Sequence, residues 1–362
     1  MIKNLQSLRG IAAVLIFYHH FGIENVFTDS FGDFGVTFFM ILSGFVMEMA
    51  YGGRVSALPG EGGMSLGKFM LSRLTKIYPL YFICWFLAVA FLPYRGSREG
   101  ILLSLFMLQS WVPEASVYFA GNSVTWFISD LMFCYLMFVI IQRLSVKWPR
   151  AVIPLAALYF MAYFCVVLTL PQSLVHGIVY INPLMQLASF MIGMAIGHLF
   201  PSVRDSECVK RLRAAMTGLR VTVAEAAVIV IVCTAMWFYY DIPQRFSFAS
   251  YWWIPVAMTI IVFSLSDRTP GFIGRILHSR PLLKLGEVSF SFYIIHKLGI
   301  YAWQRLMEFC GVDGAGDMSM LLQSVVLIIL LFFLSLLINR YLEPFASGLF
   351  RRIVHRLTGN IL

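Results

Sequence analysis

Apolar stretches long enough to cross a lipid bilayer recur along this chain and restrict its fold more than any other feature. About 20 mainly apolar residues form a helix that spans the hydrocarbon core. Of the 362 residues, 60% are hydrophobic and 12% are charged, whereas charged residues make up roughly 25% of a soluble domain. The predicted spans are residues 8–23, 34–51, 77–92, 124–141, 151–170, 178–199, 221–240, 251–265, 288–309 and 321–341. The sequence therefore predicts an all-α membrane protein with about ten transmembrane helices and no soluble domain.

Two further segments are apolar but do not fit a full crossing. Residues 101–112 are too short to span the bilayer, so we interpret them as an interfacial or re-entrant piece. Near the C-terminus, Phe350 and Ile353 lie among arginines, a pattern that favours a short helix on the inner leaflet. The predicted organisation is one transmembrane domain over residues 1–345 and an interfacial tail over residues 346–362. The first span lacks a small-residue cleavage site, which predicts a retained helix rather than a signal peptide.

The distribution of basic residues predicts the orientation of the chain. If the N-terminus is cytoplasmic, 22 of the 27 Lys and Arg residues lie on the cytoplasmic side. Because cytoplasmic loops carry an excess of Lys and Arg, we expect both termini to face the cytoplasm and the protein to lie in the cytoplasmic (inner) membrane. The net charge of +9 is then explained by topology and by contact with anionic membrane lipids. It requires no nucleic-acid partner.

The cysteines give no sign of a metal site. All six are scattered along the chain, mostly within apolar spans, without a Cys-x-x-Cys pair or metal-ligand spacing. They are typical of small packing residues, and we predict no metal. The sequence also has no internal repeat and no glycine-rich phosphate loop.

Arg9 and His20 bracket the first apolar span. His20 follows Arg9 by eleven residues. On a helix this is a rotation of roughly 20° more than three full turns and a distance of about 16 Å along the axis. Both side chains then share one face, with a fixed cation near one bilayer surface and a titratable imidazole near the other. This arrangement indicates a site that works through the membrane. An arginine that anchors the helix end, with an interfacial histidine, explains the pair equally well from this segment alone.

Trp126 and Asp130 form a second candidate, because polar residues are expensive to bury in lipid and tend to mark sites. They are one helical turn apart in the outer half of the fourth span, at the predicted depth of His20. A buried aspartate there needs a cation or a histidine as its partner, and it can hold an imidazole in one tautomer. The alternative is an aspartate that faces a wet loop junction.

Four further residues are predicted to line a substrate pathway. Ser289, Tyr293 and His296 follow one helical stripe of the ninth span and indicate a polar wall that faces the bundle interior. Glu48 shares a helix face with Gly44 near the predicted cytoplasmic end of the second span. The alternative for Glu48 is a carboxylate that reaches out to the membrane surface.

Arg73 and Lys76 lie three residues apart at the predicted cytoplasmic mouth of the third span. Cations in such positions usually bind lipid head groups. Together with Arg9 on the same predicted side, they instead form a cluster that can hold the phosphates of a nucleotide thioester. Both interpretations stay open at the level of the sequence.

Five segments of the chain carry recognisable motifs, namely residues 8–13 with His20, 35–45, 72–81, 126–127 and 286–296. They include an Arg-x10-His pair and the run Phe-Phe-x-x-x-Ser-Gly-Phe. In this order, from residue 5 to about residue 300, they resemble the acyltransferase-3 family of integral membrane acyltransferases. The resemblance implies about ten helices and transfer of acyl groups, often acetyl from acetyl-CoA, to sugars of exopolysaccharide, lipopolysaccharide or related acceptors.

The resemblance also implies roles for individual residues. His20 corresponds to the catalytic histidine, and Arg9, Arg73 and Lys76 correspond to the acyl-CoA side of the family. Lys76 stands where many members have an arginine, and it lacks the planar guanidinium fork. The acidic motif that many members carry is reduced here to Asp130 and its preceding serine. The role of Asp130 is therefore inferred from its position alone.

The predicted function is that of an acyl-CoA-dependent membrane O-acyltransferase. We expect His20 to act as general base on a hydroxyl of a cell-surface or lipid-linked carbohydrate, which attacks the thioester of an acyl-CoA, with acetyl-CoA as the expected donor. Asp130 is expected to orient the imidazole, and an acyl-histidine intermediate is an equally open route. The alternative from another class is a transporter or flippase of a polyprenyl-linked sugar, which binds substrate without bond chemistry.

Overall fold

The computed structural model describes residues 2–22, 27–56, 63–93, 95–215, 218–248, 250–311 and 317–358, which form helices and connecting turns without a β-strand. In chain order the helices are α1 (Lys3–Phe21), α2 (Thr28–Ser56), α3 (Leu66–Phe91), α4 (Arg98–Leu105), α5 (Ala115–Tyr118), α6 (Trp126–Lys147), α7 (Pro149–Thr169), α8 (Gln172–Val175), α9 (Pro183–Arg204), α10 (Glu207–Ala215), α11 (Gly218–Trp237), α12 (Gln244–Ser247), α13 (Trp253–Ser266), α14 (Phe272–Leu277), α15 (Arg280–Glu287), α16 (Ser289–Phe309), α17 (Asp317–Leu337) and α18 (Glu343–Thr358).

Seven helical stretches in this described part are long and apolar enough to cross a membrane: α2, α3, α6, α7, α9, α11 and the continuous stretch of α17 and α18. The other three predicted spans are also helical, as α1, α13 and α16. Of these, α13 has only 14 residues, while α1 and α16 carry more polar side chains. The all-α membrane fold is therefore confirmed. The number of ten spans and the side on which the termini lie stay predictions.

Several span boundaries differ from the prediction, among them the start of α3 at Leu66 rather than at 77. Three of the differences have local reasons. Helix α1 ends at Phe21 because Gly22 adopts a left-handed conformation with φ 91°, and the predicted last residue, 23, lies outside the described residues. The sixth span begins at Pro183 rather than at 178, after a π turn, and the Asn182 side chain accepts a bond from its first turn. The tenth span continues through a π turn at Ile338–Leu342 into α18.

Residues 98–118 form a hairpin between α3 and α6, which we call the 98–118 hairpin. The Ser97 amide donates to the Ser116 carbonyl over 2.7 Å, which closes the neck of the hairpin. At its tip, the Tyr78 hydroxyl of α3 donates to the Leu105 carbonyl over 3.2 Å. Because Tyr78 lies 13 residues before the end of α3, the tip lies about 20 Å below that end. Whether this segment is interfacial or re-entrant stays a prediction.

Contacts divide the chain into two compact units, which are described separately. Unit 1 comprises residues 1–50 and 189–290, and unit 2 comprises residues 51–188 and 291–362. The sequence predicts one transmembrane domain over residues 1–345. Both units draw on segments from distant parts of that range, so neither corresponds to a continuous half of the chain.

Unit 1 holds α1 firmly against α15. A Cβ atom at Gly286 would lie 1.8 Å from the Gln6 carbonyl oxygen, and one at Gly10 would lie 2.7 Å from the Leu285 side chain. Only glycine allows helices to approach this closely. The contact fixes the helix that carries Arg9.

A buried carboxylate supports the same corner of unit 1. Glu225 of α11 is fully buried, and its two oxygens accept bonds from the Gly271 and Gly274 amides over 3.0 Å each. These amides lie at the N-terminus of α14, where helix N–H groups lack partners and negative charge is favourable. From the other end of α14, the Leu277 carbonyl accepts a bond from Ser7 of α1 over 2.5 Å. The α14–α15 corner and α1 are therefore linked by hydrogen bonds as well as by packing.

Unit 2 joins α3, the 98–118 hairpin, α6 and the C-terminal helices. The Phe69 ring of α3 lies 5.6 Å from Phe138 of α6. Helix α18 packs along α3, with the Phe350 ring 5.6 Å from Tyr78. The predicted tail thus forms part of a helix that contacts the bundle; its placement on the inner leaflet stays a prediction, and residues 359–362 lie outside the described residues.

Candidate active site

His20 lies in the last turn of α1, half-buried, and its ring is oriented by the backbone. Its Nδ1 is 2.9 Å from the Ile16 carbonyl oxygen. Because a carbonyl oxygen only accepts, Nδ1 carries the proton and Nε2 carries the lone pair. This tautomer presents Nε2 as a proton acceptor, which is the chemistry of a general base.

His19, the neighbouring residue, has a packing environment instead. Its Nδ1 donates to the Thr28 carbonyl over 3.1 Å. Its ring is pressed against α2, so that a Cβ atom at Gly32 would lie only 2.8 Å from it. His19 therefore fastens the ends of α1 and α2 together, and the two adjacent histidines have different roles in the structure.

Arg9 lies in the same unbroken helix as His20. The predicted separation of about 16 Å along one helix face therefore applies. Arg9 is half-buried and lies among residues that hold α1 against the α14–α15 corner. One of these residues is Gln6, whose side chain donates to the Leu283 carbonyl over 2.9 Å.

Two tyrosine–carboxylate pairs at the start of α2 were missed by sequence reasoning. The Tyr239 hydroxyl donates to Asp33 over 2.6 Å, and the Tyr240 hydroxyl donates to Asp29 over 2.8 Å. Desolvation and the Asp29 carboxylate raise the pKa of Tyr240 to about 12. The two acids are one turn apart on α2, a spacing that reveals a shared face but does not identify the tyrosines as partners.

Glu48 and Ser289, two predicted pathway residues, also belong to unit 1. Glu48 Oε1 lies 3.3 Å from Nδ1 of the exposed His198 of α9. This pair gives Glu48 a structural partner. Ser289, at the start of α16, is fully buried, and its hydroxyl makes no hydrogen bond to any described residue.

Asp130 is in unit 2, fully buried in the first turns of α6. Neither of its carboxylate oxygens accepts a hydrogen bond from the described residues. Ser110 lies beside it and shares a hydrogen bond of 2.6 Å with Ser129. Either serine can donate in this bond, so one hydroxyl proton of the pair stays available to the carboxyl group. Tyr293 is close enough for its phenol to interact electrostatically with the carboxylate. A buried carboxyl group depends on such polar neighbours in a protein interior.

The remaining predicted pathway residues surround this aspartate in unit 2. The Trp126 ring lies 5.0 Å from Tyr180. The Tyr293 hydroxyl donates to the Val124 carbonyl over 2.6 Å, and the buried His296 bonds the Tyr293 carbonyl through Nδ1. Tyr293 and His296 are thus buried together, and their role in a substrate pathway stays a prediction.

Arg73 is held by an aromatic ring that sequence reasoning did not connect to it. Its Nη2 donates to the Tyr51 hydroxyl over 2.7 Å, and its guanidinium carbon lies 4.8 Å from the Tyr51 ring centroid. Arg54 lies over the same ring at 5.6 Å. Within the described residues, neither arginine forms an ion pair with a carboxylate. Two guanidinium groups at one ring, without an acid, form a surface suited to an anion. Lys76, one turn further, is exposed.

The predicted site residues are thus divided between the units. Arg9, His20, Glu48 and Ser289 belong to unit 1, while Arg73, Lys76, Trp126, Asp130, Tyr293 and His296 belong to unit 2. Within unit 2, the structure brings Asp130, Tyr293 and His296 together. It shows Arg73 in a separate cluster with Tyr51.

Comparison with known proteins defines the class of this membrane protein. The profile of a family described as "Acyltransferase domain" (Acyl_transf_3) matches residues 2–340, nearly the whole chain. The chain belongs to this acyltransferase family, and it is an all-α membrane acyltransferase.

Two relatives illustrate how far the similarity extends. A protein named Acyltransferase MdmB from Streptomyces mycarofaciens is 27% identical over 334 residues, which cover 84% of this chain and 81% of the relative. Protein 2 in picA locus from Rhizobium radiobacter is 35% identical over 89 residues, 24% of this chain and 44% of the relative. No solved structure matches the chain.

Proposed function

We propose that this protein is an acyl-CoA-dependent O-acyltransferase that transfers an acetyl group to a hydroxyl of a cell-surface or lipid-linked carbohydrate. The single observation that carries the proposal is the contact of 2.9 Å between His20 Nδ1 and the Ile16 carbonyl oxygen. Nδ1 donates to the Ile16 carbonyl, so Nε2 is the nitrogen that accepts a proton. Membership of an acyltransferase family supports a group-transfer reaction rather than transport.

In the proposed reaction, His20 Nε2 accepts the proton of the acceptor hydroxyl while the hydroxyl oxygen attacks the thioester carbonyl. A new ester bond forms, the carbon–sulfur bond breaks, and the thiolate leaves and takes up the proton. The orienting role predicted for Asp130 is not assigned, because the Ile16 carbonyl already occupies Nδ1. His20 therefore needs no carboxylate at that nitrogen to hold its tautomer.

We propose that the acyl-CoA donor binds at Arg73. Lys76 and Arg9 are proposed to lie on the same side of the membrane. The guanidinium of Arg73 is fixed by Tyr51 and has no carboxylate partner in the described chain. These features fit the phosphates of coenzyme A. The excess of Lys and Arg on one side, 22 of 27 residues, supports a cytoplasmic location for this cluster and for both termini in the inner membrane.

The proposal is tested with membranes that contain or lack the protein, supplied with acetyl-CoA labelled in the acetyl group. We expect label in extracted polysaccharide or lipid-linked saccharide only when the protein is present. Release of free coenzyme A should match the label that is transferred. A flippase would move saccharide across the bilayer without incorporating label, and that result would overturn the proposal.

Replacing Arg73 with alanine should raise the KM for acetyl-CoA by about tenfold or more, because a charged hydrogen-bonded contact of roughly 1.5–3 kcal/mol is lost. Arg9→Ala should act in the same direction, while Lys76→Arg should be tolerated or lower the KM, since it adds a planar fork. Steady-state kinetics at varied acetyl-CoA measure these effects. Unchanged KM values in both alanine variants would leave lipid anchoring as the role of these cations.

A further inference from the structure

Three arginines of unit 2 come from three different helices and meet at one place. Arg54 lies in the last turn of α2, Arg73 lies near the start of α3, and Arg143 lies near the end of α6. We call these three residues the arginine cluster. Contacts through Tyr51 and Met64 hold the cluster together.

The Tyr51 ring is shared by two members of the arginine cluster. The guanidinium carbons of Arg73 and Arg54 lie 4.8 Å and 5.6 Å from its centroid, and Arg73 also donates to its hydroxyl. The same ring packs edge-on against Phe69 at 5.6 Å, and Phe69 contacts Phe138 of α6. A base of aromatic rings thus supports these guanidinium groups.

Met64 connects the third member to the other two. The Arg143 Nη2 donates to the Met64 carbonyl over 3.3 Å, and the Met64 amide donates to the Arg54 carbonyl over 2.8 Å. Arg143 also follows Phe138 by five residues on α6, which is about 7.5 Å along the helix axis. Arg143 therefore lies beside the aromatic base and beside the chain segment that carries Arg54.

The arginine cluster has no acidic partner in the described part of the chain. The ion pairs there involve other residues. The hydrogen bonds of the three guanidinium groups go to neutral acceptors, which are the Tyr51 and Ser72 hydroxyls and the Met64 carbonyl.

Arg143 shows most clearly that the cluster lacks a counter-charge. It is half-buried, and its Nε is buried without a hydrogen-bond partner among the described residues. A partly buried charge that no acid compensates is costly. Because each guanidinium group carries five N–H donors, the cluster has many more donors than the described residues accept. Its chemical complement is a ligand with several negative charges.

We propose that the arginine cluster is a polyphosphate site, in which Arg54 and Arg143 act with Arg73 on the nucleotide part of the acyl-CoA donor. The inference rests on the proposed function for the identity of the donor and adds two residues to its binding. Coenzyme A carries a diphosphate bridge and a terminal phosphate monoester of about −1.5 to −2 charge. Guanidinium groups match phosphate oxygens in both charge and geometry.

The proposal predicts which carrier of an acyl group the protein uses. An acyl carrier protein presents its acyl group on a pantetheine arm with one phosphodiester, and free pantetheine thioesters carry no phosphate. Neither offers a diphosphate together with a terminal phosphate. Recognition by three arginines from three helices therefore favours a coenzyme A thioester over both of these carriers.

The test measures ligand binding to the purified full-length protein in detergent, without acceptor. The probes are coenzyme A, adenosine 3′-phosphate 5′-diphosphate, which is its nucleotide part alone, and pantetheine. We expect Arg143→Met to raise the Kd of both nucleotides about tenfold, because charged hydrogen bonds are lost. Pantetheine at the same concentration should not displace either nucleotide from the wild type.

Two further variants keep the test independent of folding. Arg54 is exposed and its side chain makes no hydrogen bond to a described residue, so Arg54→Met should keep the wild-type melting temperature while it raises the nucleotide Kd about tenfold. Arg305→Met is the matched control, because that guanidinium is exposed and already paired with Glu308 over 2.8 Å in unit 2. Its Kd values should equal those of the wild type.

Anionic lipid head groups offer the same phosphate chemistry, so a lipid probe distinguishes the two sources. Dioctanoyl phosphatidylglycerol is titrated under the same conditions. If Arg54→Met and Arg143→Met weaken binding of this lipid and leave the nucleotide Kd values unchanged, the cluster anchors lipid and the inference is overturned. A lower melting temperature in Arg143→Met with unchanged nucleotide binding would also overturn it, because Arg143 would then only support the Met64 segment.

Binding and label transfer separate the inference from the proposed function. If the wild type transfers label but both arginine variants bind the nucleotides as tightly as it does, the inference is overturned alone. If nucleotide binding depends on Arg54 and Arg143 but the wild type transfers no label, the polyphosphate site stands and the proposed acyl transfer fails.

Discussion

Replacing His20 with alanine should lower acyl transfer by about 10²–10⁴-fold, the contribution typical of a general base. Because Nδ1 of His20 donates to the Ile16 carbonyl, the basic nitrogen that the substitution removes is Nε2. His20→Asn is the sharper variant, because its side-chain amide can still donate to the Ile16 carbonyl while offering no basic nitrogen. It should be as inactive as the alanine variant and should retain the wild-type melting temperature.

His19 provides the matched control on the adjacent position. Its ring packs against Gly32 and donates to the Thr28 carbonyl, so His19→Ala removes packing and not a base. We expect a lower melting temperature and a loss of transfer of less than about tenfold, a smaller effect than that of a general base. Rates must be compared at equal amounts of folded protein. Transfer at the wild-type rate in His20→Asn would remove His20 from the mechanism.

The part of the candidate site that sequence could place is the part with local signals. The spacing of Arg9 and His20 places both on one helix, and that helix is unbroken. The partners of these residues could not be predicted in the same way. The identity of Ile16 does not reveal that its backbone carbonyl binds His20. Tyr51 contacts Arg73, 22 residues away in sequence, through tertiary packing.

The 98–118 hairpin shows where pattern analysis reaches its limit. A 12-residue apolar run is too short to span a bilayer, so length alone separates it from the transmembrane helices. Whether it enters the bundle depends on contacts such as that between Tyr78 and Leu105, which no local pattern encodes.

The division into two units is also invisible in hydropathy. Every span appears as a similar apolar run, and hydropathy gives no information on which spans pack together. Asn4 of α1 donates to the Phe263 carbonyl of α13, 259 residues away. Such contacts decide the units, and they arise from complementary surfaces rather than from periodicity.

The second large effect is expected at the crossing of α2 and α9 in unit 1. A Cβ atom at Gly44 would lie 2.0 Å from the Phe190 carbonyl oxygen, and one at Gly193 would lie 1.9 Å from the Ile41 carbonyl oxygen. The two helices therefore touch backbone to backbone at small residues, as in close membrane helix pairs. The glycine of the Phe-Phe-x-x-x-Ser-Gly-Phe motif thus has a packing role.

Gly193→Ala should destabilise the protein by on the order of 2 kcal/mol or more. Overpacking against rigid backbone costs about 1–3 kcal/mol or more. This cost exceeds the gain of about 1 kcal/mol that alanine brings over glycine within a helix. Gly53→Ala on α2 is the control, since a Cβ atom there meets nothing within 4 Å. That variant should keep or raise the melting temperature. Thermal unfolding in detergent measures both. Because the same substitution should change stability with opposite sign at the two positions, equal melting temperatures would show that α2 and α9 do not cross as closely as described.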